Sequence, residues 1–155
     1  MQSKVRLFGH AVHPMLVDFP IVCFVLLAVL DVAEGMGYVA AGRVPLFLVG
    51  LGGGVAILAI ITGIIDLRFI PGKTPAHKLA VWHFIGGIVV WAWFGVSSGA
   101  HTGTTAASWA IYADLAGVLL VIGQSWLGGE LMERHHIGIR SPAEGADPVV
   151  LGRGN

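Results

Sequence analysis

Residues 14–36 read PMLVDFPIVCFVLLAVLDVAEGM. Only Asp18, Asp31 and Glu34 can carry charge there, and most of the rest is apolar. A helix rises about 1.5 Å per residue, so about 20 apolar residues cross the roughly 30 Å hydrocarbon core of a bilayer. The stretch is long enough to span a membrane, and similar stretches follow at residues 45–70, 78–98 and 106–129. The first is too long in its apolar part for a cleaved signal peptide and lacks a small-x-small site, so it reads as a retained span. The expected fold is all-α: an integral membrane four-helix bundle over residues 1–136, followed by a polar tail over residues 137–155.

Composition agrees. Of 155 residues, 55% are hydrophobic and 12% charged, about half the charged fraction of a soluble domain. Net charge is zero, so nothing points to a nucleic-acid partner; the expected surroundings are lipid. The single cysteine, Cys23, excludes an internal disulfide, a CxxC redox pair and a CxxCH haem attachment. It reads as a small core residue. No GxSxG or HEXXH motif is present. The GKT at Gly72–Thr74 lacks the earlier glycine of a phosphate loop, because Leu67 stands there.

Four spans put both termini on one side, with the second-to-third loop. Lys4, Arg6, Arg68, Lys73, Lys78, Arg134, Arg140 and Arg153 fall on that side and Arg43 alone on the other. The positive-inside rule makes the terminal side cytoplasmic. Trp82 and Trp126 near the inner ends and Trp93 and Trp109 near the outer ends fit an aromatic belt. Gly50 and Gly54 form a GxxxG pair that suits close helix packing or a homo-oligomer face. No internal repeat stands out.

The chemistry-bearing residues gather on the terminal side: His10, His13, His77, His83, His135 and His136, with only His101 opposite. Ionisable groups are costly in a bilayer and mark function when they occur there. Imidazole is the usual ligand of b-type haem and a common ligand of transition metal ions. His13 precedes Pro14 at the mouth of span one, where proline is favoured. His83 lies in span three, about 9 Å deeper than His77 at helical rise. Spans one and three run the same way, so His13 can pair with His83 or with His77. By depth His77 matches better, while a kink at Pro20 or helix tilt narrows the gap for His83. Asp18 would orient a ligand by accepting its second N–H. Gly86 and Gly87 would make room for a flat macrocycle. An alternative metal site uses His10, His13, His77, Asp66 or His135. A third reading has no cofactor and histidines that only hydrogen-bond, as in a structural subunit. Asp31 and Glu34 read as a surface ion pair with Arg43, and Asp66 as a partner of Arg68 or Lys78. Gln124 and Ser125 read as interhelical hydrogen-bonders. Asp114 lies deep in span four with no partner evident.

GHAVHPMLVDFPIV at Gly9–Val22 and SWLGGELMERHHIGI at Ser125–Ile139 together resemble a family of small bacterial membrane proteins, domain of unknown function 2231. Its pattern is HP followed by hydrophobics and FP early, then WLGGxLxxRH late. His13, Gly128, Gly129 and His135 match the motifs. The resemblance covers nearly the whole chain and implies a four-helix membrane protein. Some relatives look fused to Rieske-type iron–sulphur domains, which implies redox company. HPMLV at His13 and VWHFIGG at His83 are also similar in placement to transmembrane cytochromes of the ascorbate-reducible b type. That likeness implies one haem b between His13 and His83, on the terminal side, and the leading expectation is an electron-transfer subunit for an iron–sulphur protein or a quinone. The second histidine pair of those cytochromes is missing here.

Overall fold

The computed structural model describes residues 3–103 and 107–138. They form a bundle of four long helices: α1 (Val12–Gly35), α2 (Val44–Leu67), α3 (Pro75–Ser97) and α4 (Ala110–His135). All four are long and apolar enough to cross a membrane. A short 3-10 turn, Ser98–His101, extends α3. Residues 139–155 of the expected tail, with Arg140 and Arg153, lie outside the described residues, as does Ala106, where span four was expected to begin.

Two boundaries differ from the sequence reading. Helix α1 starts at Val12, so Pro14 takes the third helical position rather than the first. The first four helical N–H groups have no intrahelical partner, so proline costs nothing there. Helix α4 starts at Ala110 and runs through the double glycine to His135, so Glu130, Glu133 and Arg134 are helical. A Glu130–Arg134 ion pair at 2.8 Å spans one turn of that extension. Helix α3 opens on Thr74, whose hydroxyl accepts from the His77 N–H at 3.1 Å, with Pro75 at the first position.

The lead-in is a small hairpin, β1 (Arg6–Leu7) with β2 (His10–Ala11), paired Arg6 to Ala11 and Leu7 to His10. Its two-residue turn has positive φ at Phe8 and Gly9, as a primed hairpin turn requires. Asp66 anchors the chain before it, accepting from the Ser3 hydroxyl at 2.6 Å and the Lys4 N–H at 2.7 Å. That occupies Asp66 with the lead-in rather than with Arg68 or Lys78.

Each helix packs against its sequence neighbours, and α4 closes back on α1. Helices α1 and α3 therefore face each other diagonally across the interior. Large side chains such as Val22, Val29, Phe47, Leu58, Leu119 and Ile122 are exposed on the outside. An apolar outer face is what a helix surrounded by lipid presents. At mid-height Phe24 of α1 stacks on Phe94 of α3, ring centres 4.0 Å apart and 8° from parallel. Leu27, Val49, Val90 and Val121 complete that core.

Glycines decide how closely the helices approach. A Cβ on Gly52 would lie 2.9 Å from Phe24 Cε1, and one on Gly117 2.5 Å from Phe94 Cζ. Of the two expectations for the GxxxG pair, close packing inside the bundle is not met, since Gly50 and Gly54 face open space.

The hairpin α1–α2 and the hairpin α3–α4 are two copies of one unit. A shift of 70 positions carries His13, Phe24, Leu27 and Asp31 onto His83, Phe94, Ser97 and His101. A shift of 65 carries Pro45, Val49, Gly52 and Ala56 onto Ala110, Asp114, Gly117 and Val121, all buried. Equivalent helices run the same way, so the copies are related by a pseudo-two-fold axis along the bundle.

Candidate functional site on the bundle axis

A cavity of about 430 Å³ occupies the terminal half of the bundle, within the roughly 300–1,000 Å³ typical of small-ligand sites. It runs from Ser3 and Ile137 at its mouth to Phe24 and Val90 at its floor. His13 and His83 face each other in its wall, ring centres 6.2 Å apart and planes at 83°. Both are half-buried. Their depths match because the repeat gives them equivalent places, His13 eleven residues before Phe24 and His83 eleven before Phe94.

The Nδ1 of His13 lies 2.7 Å from the Ala59 carbonyl oxygen. A carbonyl only accepts, so Nδ1 carries hydrogen and Nε2 presents its lone pair. Thr62 Oγ1 stands 3.4 Å from the same Nδ1. The Nδ1 of His83 lies 3.1 Å from Gln124 Nε2, which also donates to the His83 carbonyl oxygen at 2.5 Å. In a neutral ring this puts the proton of His83 on Nε2. Gln124 Oε1 is buried without a hydrogen-bond partner.

The glycines that clear room for the rings are Gly63 and Gly128. A Cβ on Gly63 would come within 3.0 Å of His13 Cε1, and one on Gly128 within 3.0 Å of His83 Cε1. Gly86 was expected to open space for a ligand but lies against Gln124, whose amide oxygen a Cβ would strike. Gly87 does line the cavity. Asp18 lines it too and is exposed; the Nδ1 it was expected to hold is bonded to Ala59 instead.

The other histidines go elsewhere. His77 bonds the Ile70 carbonyl oxygen through Nδ1 at 3.2 Å and lines a separate groove with Lys73 and Trp82. His10 sits exposed in the hairpin with Nδ1 3.1 Å from the Phe8 carbonyl oxygen. His135 ends α4. Among the described residues, no three-residue ligand group includes His10, His77, Asp66 or His135.

A second polar cluster lies at the opposite end. Asp31 is fully buried and 2.9 Å from His101 Nε2, which replaces the expected surface pairing with Arg43. Glu34 accepts from the Ala41 N–H at 3.0 Å. Asp114 Oδ2 lies 3.3 Å from the same His101 nitrogen. Sequence reasoning missed this cluster, although deep placement already set Asp114 apart.

The chain belongs to the family described as predicted membrane protein (DUF2231), whose model matches residues 9–141. No curated protein and no solved structure matches it.

Proposed function

We propose that this member of the DUF2231 family is a membrane b-haem protein that passes electrons near one face of the bilayer. The observation that carries the reading is the His13–His83 pair across an apolar cavity. The ring centres are 6.2 Å apart, about what two imidazoles holding one metal ion between them would need with bonds of about 2.0 Å on each side. The pseudo-two-fold axis supports the reading further, because it gives His13 and His83 equivalent places in the two hairpins. A haem held by two imidazoles takes up and releases one electron with little rearrangement, its potential set by ligands and burial.

His13 would ligate through the Nε2 that its bond to Ala59 leaves free. His83 would ligate through Nε2 with its proton moved to Nδ1. The Gln124 carboxamide would then turn to offer its orphaned Oε1 to that proton, giving up its donated bond to the His83 carbonyl oxygen. Gly63 and Gly128 leave room for the two rings, and the Phe24–Phe94 stack floors the site.

The basic residues Lys4, Arg6, Arg68, Lys73, Lys78 and Arg134 lie at the same end as the pair. They favour a cytoplasmic orientation of that end in a bacterial inner membrane. An iron–sulphur protein or a quinone is the fitting redox partner for a haem at this depth. The test is a dithionite-reduced minus oxidised visible spectrum of protein expressed with haem supply. A sharp b-type α band in the wild type, lost in His13→Ala and in His83→Ala, is expected. A flat wild-type spectrum, or undiminished haem in both variants, would overturn the reading.

A further inference from the structure

We propose that Asp31, His101 and Asp114 form a site for one divalent first-row transition cation on the bundle axis, at the end opposite the His13–His83 pair. The two positions are about 27 Å apart along α1, eighteen residues at helical rise. One ligand atom from each residue lies within 4.8 Å of the other two, and all three residues are fully buried. They come from α1, the 3-10 turn and α4, so the group exists only in the assembled bundle.

Chemistry and charge select the ion. His101 Nδ1 lies 3.1 Å from the Ser97 carbonyl oxygen, so it carries hydrogen and turns Nε2 toward the carboxylates. That backbone bond is the usual outer support of a metal-bound imidazole. With both carboxyls ionised, three lone-pair-bearing atoms then converge with no donor between them. A proton on Nε2 serves Asp31, at 2.9 Å, but leaves Asp114 Oδ2 buried with no hydrogen bond. It also leaves two carboxylates against one imidazolium, a net negative charge out of water, which is costly. A divalent cation takes all three atoms and brings the charge to zero. Its second support is Ser97, whose hydroxyl donates to Asp114 Oδ1. One imidazole with two carboxylates suits zinc, iron(II) or manganese(II). The repeat adds an independent reason: Asp31 and His101 are equivalent positions in the two hairpins, so the axis passes between them.

The test uses the full-length protein in detergent, stripped with a chelator and equilibrated with zinc. Zinc bound at equilibrium is read by elemental analysis. Asp114→Asn and Asp31→Asn, which keep side-chain volume, are each expected to bind one equivalent less than the wild type. His13→Ala is expected to keep that equivalent. Zinc edge absorption on a variant with His10, His77, His135 and His136 replaced by Gln should read one imidazole and two carboxylates. No zinc in the wild type, unchanged stoichiometry in both Asn variants, or a shell of two or more imidazoles in that spectrum overturns the proposal.

Discussion

Replacing Gly117 by Ala tests whether the glycines set the helix spacing. The added Cβ would lie 2.5 Å from Phe94 Cζ, 2.9 Å from Cε2 and 3.0 Å from Trp93 Cδ1. Carbon pairs are most favourable at about 3.5–4.0 Å, so α4 or the Phe94 ring must retreat by roughly 1 Å. Phe94 is fully buried and stacked on Phe24, which in turn packs closely on Gly52. The ring cannot yield without opening the diagonal contact. Overpacking of this kind costs about 1–3 kcal/mol. Glycine to alanine in a helix also brings an intrinsic gain of about 1 kcal/mol, which would mask part of the loss. Gly123→Ala on the same helix removes that ambiguity, since a Cβ there meets open space. The difference between the two variants should be about 1–3 kcal/mol, with Gly117→Ala the less stable. Unfolding in mixed micelles with increasing denaturing detergent reads it directly. Equal stabilities for the two variants would refute the reasoning.

Phe94→Ala should cost about 3–5 kcal/mol by cavity formation. In a double-mutant cycle with Phe24→Ala, the stack itself should couple by about 0.5–1.5 kcal/mol; the same micelle assay checks both. Asp66→Ala removes the acceptor of the Ser3 hydroxyl and the Lys4 N–H. Hydrogen exchange over residues 3–11 should rise while α1 to α4 keep their protection, and unchanged exchange at the lead-in would count against that anchor. Gly63→Val places a branched side chain where a single Cβ already comes within 3.0 Å of His13. Any small ligand of the cavity should then bind at least about tenfold more weakly, since displacing a well-packed group costs about 1–3 kcal/mol, whereas Gly72→Val, beside open space, should leave binding unchanged.

Much of the site's inventory was legible in the sequence, but not its wiring. His13 and His83 stand out because imidazoles are scarce in apolar helices. The preference for His77 on depth assumed spans of uniform tilt with centres aligned, whereas the helices place His13 and His83 level. The partner of His13 is the backbone carbonyl of Ala59, and a backbone acceptor leaves no mark in a side-chain pattern. Asp18 was the visible acceptor nearby, which is why it drew the role. Gly86 and Gly87 stand three and four residues after His83, on its face of the helix, but there they pack against Gln124 of α4. The ring is instead cleared by Gly128 on the facing helix.

Four membrane-crossing helices follow from sequence alone, because length and apolarity need no partner: each span satisfies its backbone hydrogen bonds within itself. The alternation of direction follows from short connections. The tertiary structure decided everything that depends on which faces meet. Asp31, His101 and Asp114 are scattered over three elements, and only burial against one another turns isolated ionisable residues into a cluster. The repeat was hidden for a related reason. Lipid accepts almost any apolar side chain on the outer face, so the two hairpins share few residue identities. What they share is the inward stripe of His, Phe and Gly, where close packing about the axis tolerates little change.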